Sequence, residues 1–212
     1  MPLLLSRASA ADVRELVDLH YTVIQGPLSD ILIGYDTEDG RQAAAGRWAQ
    51  EMKEDPADLW LKVIDSETGR IVSTAHWKIY PTWVPIKTGP ASLDWIPEGE
   101  ERALAEEIIH TFYQFRAQHQ HGSPHVLLNR LYTHPDYQRR GCGAMLVRTG
   151  CGIADGLFLP AWVESSPVGE HLYRSNGFKE VVRSEIRNSK YDLSGPTMRR
   201  EARAPVVVDP RS

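Results

Sequence analysis

A short stretch with two glycines and two arginines holds the residues of this sequence that point most directly to chemistry. Placed between a predicted strand and a predicted helix, it reads Gln138-Arg139-Arg140-Gly141-Cys142-Gly143-Ala144. Glycines let the backbone turn sharply and approach a ligand closely, and the unpaired N–H groups at a helix N-terminus attract anions. The stretch predicts a site for a phosphorylated ligand, although an incidental glycine pair at a helix start would give the same letters.

Two common nucleotide-binding motifs are excluded by single residues. A P-loop needs Lys directly after its last glycine, where this chain has Ala144. A dinucleotide fingerprint needs a third glycine three residues after Gly143, and that position is Leu146. The expected phosphorylated ligand is therefore held by neither of these loops.

Alternating strands and helices surround this stretch. Apolar and β-branched runs predict strands at 126–133 and 161–164, helices at 141–155 and 167–175, and a closing pair of strands at 178–186 and 190–198. Such an order predicts an α/β fold whose sheet is parallel at least locally.

The first half has the same kinds of element. We predict a strand at 3–6, helices at 9–25, 38–53 and 98–118, a hairpin of strands at 59–65 and 70–80, and a long loop at 81–97. Ser9 and Asp12 form a capping box that starts the first helix, and Gly26-Pro27 is expected to end it. Long loops inside compact domains are usually functional or mobile.

Composition places the chain among ordinary globular proteins. Of its 212 residues, 42% are apolar and 25% charged, which excludes disorder, collagen and coiled coil. A net charge of −4 gives no sign of a nucleic-acid or membrane partner. Cys142 and Cys151 lie nine residues apart on one predicted helix, too far to form a disulfide, so both are expected to be free thiols. With neither a signal peptide nor a membrane span in the sequence, we expect a cytoplasmic protein.

Two motifs carry a resemblance to the GCN5-related N-acetyltransferase (GNAT) family. That family's signature is Gln or Arg, two residues, Gly, one residue, then Gly or Ala, which Gln138, Gly141 and Gly143 match. About thirty residues later, the family usually has Leu-Tyr, two or three residues, then Gly-Phe. This chain reads Leu172-Tyr173-Arg174-Ser175-Asn176-Gly177-Phe178. The close resemblance covers about 126–182, and the N-terminal half agrees only in its order of elements.

The resemblance implies a single N-acetyltransferase domain over residues 1–200, with a C-terminal tail at 201–212. It also implies a mixed central sheet of about seven strands, flanked by helices and splayed at the fourth strand. The implied reaction moves an acetyl group from acetyl-CoA to an amine by direct attack in a ternary complex, and no metal is expected.

Residue roles follow from the same resemblance. The pyrophosphate of CoA is expected on Gln138 and on backbone N–H groups from Arg139 to Ala144. A backbone N–H within 131–133 (Leu131, Tyr132 and Thr133) is expected to polarise the thioester carbonyl, as an oxyanion hole does. Tyr173 is the expected proton donor to the leaving thiolate. Ser166 stands where the family often has an Asn that contacts the CoA arm.

The general base that many relatives carry on the fourth strand is absent, because that position is Asn129. A lysine-like amine is rarely neutral at pH 7, so a proton acceptor is useful. Glu164 on the next strand is the first substitute, with Asp94, His76 and His134 as further candidates. A relay through water, or a less basic amine, would remove the need for a base.

The acceptor site is expected between the first two helices and the long loop. Aromatic residues there, including Tyr35, Trp77 and Trp83, together with Asp94, predict a pocket for an amine; Tyr80 and Trp95 belong to the same group. All of these aromatics would equally serve as core and loop anchors. His119, His121 and His125 bracket a helix end and are better interpreted as a solvated turn than as a metal site.

Three functions remain open. The first is N-acetylation of a primary amine on a small molecule, by a monomer or homodimer. The second is acetylation of a protein or peptide, which needs an open groove. The third is a non-catalytic acetyl-CoA-binding module, which the Asn at position 129 favours and the Tyr at position 173 opposes.

Overall fold

A seven-stranded mixed sheet forms the centre of the protein, as seen in a computed structural model. The structure describes residues 2–84, 92–120 and 122–203. In chain order the strands are β1 (Leu3–Arg7), β2 (Asp58–Asp65), β3 (Ile71–Tyr80), β4 (His125–Thr133), β5 (Ala161–Glu164), β6 (Lys179–Ser184) and β7 (Gly195–Arg200). Their order across the sheet is β1-β2-β3-β4-β5-β7-β6, and within these described ranges only β4 and β5 pair in parallel. The predicted mixed α/β sheet is confirmed.

Six helices accompany the described part of this sheet. They are α1 (Val13–Val23), α2 (Pro27–Ile33), α3 (Glu38–Glu54), α4 (Glu100–Gln120), α5 (Cys142–Gly156) and α6 (Glu170–Ser175). Asp12 accepts hydrogen bonds from the backbone N–H and the hydroxyl of Ser9, as expected for the predicted cap. In the described ranges, no helix combines the length and apolar character needed to cross a membrane.

The sheet separates two groups of helices. Alternate residues of β3 point to opposite faces, because side chains in a strand alternate. Ala75 and Trp77 pack in the cluster under α5, and a Cβ at Gly150 of α5 would overlap the Trp77 ring. On the other face, His76 stacks on Trp60 within the layer formed by α1 and α3. We call these two sides the α5 face and the α3/α4 face, since α4 also lies on the second one.

Three predicted elements differ from the observed ones. Pro27 begins the short helix α2 instead of only ending α1, because proline is tolerated at the first helical position. Helix α6 begins at Glu170, because the residues before it form a turn in which Gly169 N–H bonds to the Ser166 carbonyl. The last strand begins at Gly195 because the Asn188 side chain closes a turn across 188–191.

The remaining expectations concern the loop, the tail and the cysteines. Residues 85–91 of the predicted loop and 204–212 of the predicted tail lie outside the described residues. At the end of the loop, Leu93 and Ile96 are buried in the apolar cluster around α4. Cys142 and Cys151 are buried free thiols, as predicted.

Candidate active site

A gap between β4 and β5 is the central feature of the site. The two strands pair only from Val126 to Leu128 on β4, with Leu128 opposite Val163. Beyond this point β4 carries a bulge: His76 of β3 pairs with Arg130 and Trp77 with Leu128, so Asn129 is the extra residue. The bulge bends β4 away from β5 and opens the sheet.

Backbone donors line the β4 side of this gap. His134 N–H bonds to the Val72 carbonyl on the β3 side. Because successive N–H groups of a strand point to alternate edges, those of Leu131 and Thr133 point toward the gap. The Tyr132 side chain is buried on the α3/α4 face, in an edge contact with His20. The bulge thus lies two residues before the segment predicted to hold the donor, and that segment has a free edge.

The N-terminus of α5 lies on the α5 face of the gap. Gly141 caps the helix with φ 88°, and Arg139 also has a positive φ of 61°. In the described chain, the N–H groups of Cys142, Gly143 and Ala144 donate to no protein acceptor. The Arg140 guanidinium lies 5.1 Å from the centre of the Tyr137 ring. Free N–H groups, a helix dipole and two arginines fit a pyrophosphate.

Gly143 joins the helix N-terminus to the gap. A Cβ at this residue would lie 3.2 Å from Leu172 Cδ2, 3.8 Å from Thr133 Oγ1 and 3.9 Å from Leu131 Cδ2. The start of α5, the free edge of β4 and helix α6 therefore meet here. A molecule whose phosphates lie on α5 can continue into the gap, which fits the shape of CoA.

Tyr173 of α6 belongs to the same region. Its side chain is buried, with its ring 5.9 Å from that of Phe178 in an edge contact. Burial raises the pKa of Tyr173 above its ordinary value, so the phenol keeps its proton at neutral pH. Within the described residues its hydroxyl makes no hydrogen bond, whereas a buried Tyr usually has one. Nearby Ser166 is exposed, and its hydroxyl accepts a bond from Gly169 N–H.

A cavity opens on the other face of the sheet, against Asn129. Its volume is about 190 Å³, and its walls come from α3, β3, β4 and α4. The residues that line it are Glu51, Asp55, Lys78, Tyr80, Val84, Tyr113, Arg116, Ala117, Gln120, Gly122, His125, Leu127, Asn129 and Arg130. Because Asn129 is the bulge residue at the start of the gap, the cavity and the gap adjoin.

Three carboxylates, those of Glu51, Asp55 and Asp58, surround the ammonium group of Lys78. We call this side of the cavity the acidic wall. The ammonium lies 2.8 Å from Glu51, 2.8 Å from Asp55 and 2.6 Å from buried Asp58. Burial disfavours its charge, but the bonds to the carboxylates outweigh this and raise the pKa of Lys78. Glu51, Asp58 and His76 could offer metal ligands within 4.8 Å of one another. The Lys78 cation already lies among these carboxylates.

The His76 side chain contacts both Asn129 and Arg130 at the bulge. The ring is fully buried, and burial lowers the pKa of His76 to about 4, so it is neutral at pH 7. Its Nδ1 lies 3.2 Å from the Asn129 amide nitrogen and 2.9 Å from Arg130 Nη1. Both neighbours are donors, so Nδ1 is the accepting nitrogen and Nε2–H donates to Asp58 Oδ1 at 2.9 Å.

The candidate bases are all engaged in other contacts. Both oxygens of Glu164 accept from Arg116, at 2.9 and 3.0 Å. Asp94 is exposed and bonds to Arg102 and Ser92. His134 accepts from Asp136 N–H through Nδ1. Of the three histidines of the predicted turn, His119 and His125 bond to backbone carbonyls, and His121 lies outside the described residues.

The predicted acceptor residues do not form one pocket. Trp77, which we predicted in the pocket, is instead fully buried beneath α5, on the face opposite the cavity. Trp83 is 67% exposed beside Gly122, and Tyr35 packs in the apolar cluster around α4. The described residues that line the cavity include Tyr80 but not Tyr35, Trp77, Trp83 or Asp94.

Several cavity residues were missed from the sequence, above all Lys78, Arg116 and Arg130. Polar side chains on an otherwise apolar strand were an available signal for Lys78 and Arg130. Which face they occupy depends on the bulge, because one extra residue turns Arg130 to the same side as Asn129. Arg116 lies on helix α4, which has many charged residues, so one more arginine there gave no sequence signal.

Comparison with known proteins points to one family. Residues 100–180 match the sequence model of the family described as "Acetyltransferase (GNAT) domain". No curated protein matches the chain. The matched segment runs from α4 to β6 and contains the gap, the start of α5 and Tyr173.

Solved structures share the fold over nearly the whole chain. A protein from Corynebacterium glutamicum described as "histone acetyltransferase HPA2 and related acetyltransferase" has 20% identity and a TM-score of 0.60, covering 98% of this chain and 100% of that one. A mosquito "arylalkylamine N-Acetyltransferase like 5b" has 11% identity and a TM-score of 0.61, with 93% and 98% covered. The "phosphinothricin acetyltransferase (Pat)" of Sinorhizobium meliloti, solved with acetyl-CoA, has 16% identity and a TM-score of 0.56, with 100% and 98% covered.

The matched domain is that of an N-acetyltransferase, an enzyme class that moves an acetyl group from acetyl-CoA to an amine. Residues 100–180 belong to the GNAT acetyltransferase domain family. The predicted family, fold and enzyme class are thereby confirmed.

Proposed function

We propose that this enzyme acetylates the primary amine of a small molecule by direct attack on acetyl-CoA in a ternary complex. The observation that carries the proposal is the position of the gap between β4 and β5. On one side it adjoins the anion site at the start of α5, through Gly143. On the other side it adjoins the cavity, through Asn129. Donor and acceptor can therefore approach each other through the sheet.

The size of the cavity favours a small acceptor. Helices α3 and α4 and strands β3 and β4 contribute to its walls, and its volume is about 190 Å³. A polypeptide acceptor needs a continuous groove, and a space lined by two helices and a sheet suits a compact amine better. We therefore place the small-molecule function before acetylation of a protein.

On the donor side, backbone groups do most of the binding. The N–H groups of Cys142, Gly143 and Ala144, with Gln138, Gly141, Arg139 and Arg140 around them, are the proposed contacts of the pyrophosphate. The N–H groups of Leu131 and Thr133 are the proposed donors to the thioester oxygen, beside the buried side chain of Tyr132. Ser166, at the turn before α6, is a proposed contact of the CoA arm.

The proposed proton transfers follow from the bonds that change. The amine nitrogen forms a bond to the carbonyl carbon, the carbon–sulfur bond breaks, and the thiolate takes the proton of the Tyr173 hydroxyl. The acceptor ammonium must also lose a proton before attack. Glu164 is the proposed base on β5, where both of its carboxylate oxygens accept hydrogen bonds from Arg116. Water in the cavity is the alternative acceptor.

Thiol release from acetyl-CoA, measured with a panel of acceptors, tests this proposal. The panel contains polyamines, arylalkylamines, aminoglycosides, amino acids and histone-like peptides. We expect turnover with one class of small amine and none with the peptides. Turnover with peptides alone would contradict the small-molecule proposal. Tight binding of acetyl-CoA without turnover of any acceptor would favour the non-catalytic module.

A further inference from the structure

Arg130 differs from the other cations of the cavity because no carboxylate among the described residues neutralises it. Lys78 has three carboxylate partners, and Arg116 has Glu164. Arg130 forms no ion pair within the described ranges 2–84, 92–120 and 122–203, although it lines the cavity. A guanidinium partly withdrawn from water is stabilised when an anion binds it. Among the described residues that line the cavity, Arg130 is therefore the cation on which a negative charge can bind.

The Arg130 side chain is held in place by its neighbours. Its guanidinium lies 5.3 Å from the ring centre of Trp48 and 5.9 Å from that of Trp60. One N–H bonds to His76 Nδ1 at 2.9 Å, and the side chain also approaches the Tyr132 hydroxyl. A guanidinium has five N–H donors in a fixed fork, so donors remain for a planar anion such as a carboxylate.

Asn129 provides a complementary group next to Arg130. The bulge turns both side chains toward His76 on the same face. The His76 nitrogen that faces Asn129 carries no proton, so the Asn129 NH2 group must point to it. The Asn129 carbonyl oxygen then points away from His76, and it accepts no hydrogen bond in the part of the chain that the structure describes. An acceptor of N–H bonds and a free cation thus stand side by side at the gap.

We propose that the acceptor is an amino-carboxylate, meaning an amine with a carboxylate on the same or the neighbouring carbon. Its carboxylate pairs with Arg130, and its amine donates to the Asn129 oxygen beside the gap. This inference rests on the proposed function and names its substrate class. The acidic wall around Lys78 lies further along β3, and its carboxylates repel the carboxylate of the substrate. Among the described lining residues, this leaves Arg130 as the place where that carboxylate binds.

Matched pairs of acceptors test the proposal with the full-length enzyme. Each pair is an amino acid and the amine formed by its decarboxylation, for example phenylalanine with 2-phenylethylamine, leucine with isopentylamine, and alanine with ethylamine. Thiol release gives kcat/KM for each member in wild type, in Arg130→Gln and in Arg130→Lys. Arg148→Gln is the matched control, since Arg148 is exposed on α5 and away from the cavity.

For at least one pair, we expect the wild-type kcat/KM to be about 30-fold or more higher for the amino acid than for the amine. Losses of this size are usual when one partner of a buried charge pair is removed. Arg130→Gln should abolish this preference by lowering kcat/KM for the amino acid alone. Arg130→Lys should restore it in part, because Lys keeps the charge but lacks the fork. Arg148→Gln should behave as wild type.

Two results would overturn the inference and leave the proposed function intact. One is turnover of amines with no preference for the carboxylate in any pair. The other is an equal loss for both members of a pair in Arg130→Gln, which would place Arg130 at the thioester or in the fold. Release of no thiol with any amine would instead contradict the proposed function, and this inference with it.

Discussion

The two sites that we propose on opposite faces of the sheet are built in different ways. On the α5 face, the proposed donor site consists mainly of backbone: N–H groups at the start of α5 and on the free edge of β4, with Gly143 between them. On the α3/α4 face, the cavity is lined by charged and aromatic side chains from four separate elements. The first arrangement needs few particular residues, and the second depends on all of its side chains.

This difference explains how one fold can serve many acceptors. A backbone site needs a turn, a helix start and a gap, so it tolerates substitution at most side chains. The acceptor cavity changes whenever one of its lining residues changes. At Asn129 the gap and the cavity adjoin, and the buried His76 contacts the side chain of Asn129. Substitutions on the two faces should therefore affect different measured quantities.

Replacement of Gly143 by Asp should strongly weaken acetyl-CoA binding. The new carboxylate would stand at the start of α5, close to Leu172 and Thr133, where we propose the pyrophosphate. Like charges placed together cost several kcal/mol, which is about a 1,000-fold rise in Kd. Isothermal titration calorimetry measures the change.

Gly152→Asp is the control for this variant. Gly152 is exposed on the same helix, and a Cβ added there would have no other atom within 4 Å, so the added charge meets nothing. It should leave the Kd of acetyl-CoA within about twofold. Equal losses in the two variants would show that charge on α5, and not the site at its start, governs binding.

Tyr173→Phe should lower kcat by at least about 100-fold, the usual range for a lost general acid. The Kd of acetyl-CoA should stay within about twofold, because the ring and its contact with Phe178 are kept. Single-turnover kinetics with acetyl-CoA and a good acceptor separates the two quantities. An unchanged rate would show that the thiolate leaves without a proton from this residue.

Stability should fall as the pH drops below about 6.5, because His76 is buried in its neutral form. Burial lowers its folded-state pKa to about 4, so the unfolded chain binds the proton more readily between these values. The stabilising contribution of neutral His76 is fully present above pH 6.5. Its loss should lower the free energy of unfolding by about 2 kcal/mol between pH 7 and pH 4.5. Urea unfolding at both pH values measures it.

His76→Gln gives the comparison for this pH dependence. The variant should be less stable at pH 7 but should lose less stability on acidification, since Gln does not titrate. His20, whose pKa burial lowers to about 3, remains in both proteins and contributes equally. The same pH dependence in the two proteins would show that His76 is not the group responsible.

Asn129→Leu should raise the KM of the acceptor amine about 10-fold, the equivalent of one hydrogen bond. The Kd of acetyl-CoA should not change, because the pyrophosphate contacts lie on the other face. Steady-state kinetics at saturating acetyl-CoA provides the measurement. A loss of acetyl-CoA affinity of the same size would show that the two faces are not separate.

The elements of the proposed donor site could largely be predicted from the sequence, and those of the proposed acceptor site could not. Two short motifs place Gly141, Gly143 and Tyr173 on the correct elements, because a turn and a helix start depend on neighbours in the chain. Even there, the bulge at Asn129 lies two residues before the segment expected to carry the oxyanion donors.

The acceptor site could not be predicted because its residues are far apart in sequence. Glu51, Lys78, Arg116 and Arg130 come from four elements, and only the packing of α3 and α4 over the sheet brings them together. Aromatic composition favours Trp77 in the pocket, but the alternation of β3 directs it to the α5 face and Lys78 to the other. Composition alone cannot decide between these faces.

The proposed reaction requires that donor and acceptor meet at the gap between β4 and β5. A crystal structure of the enzyme with acetyl-CoA tests this requirement. The expected result has the pyrophosphate on residues 138–144, the thioester oxygen near the N–H groups of Leu131 and Thr133, and the acetyl group beside Asn129, facing the cavity. An acetyl group that ends on the α5 face, closed off from the cavity, would contradict it.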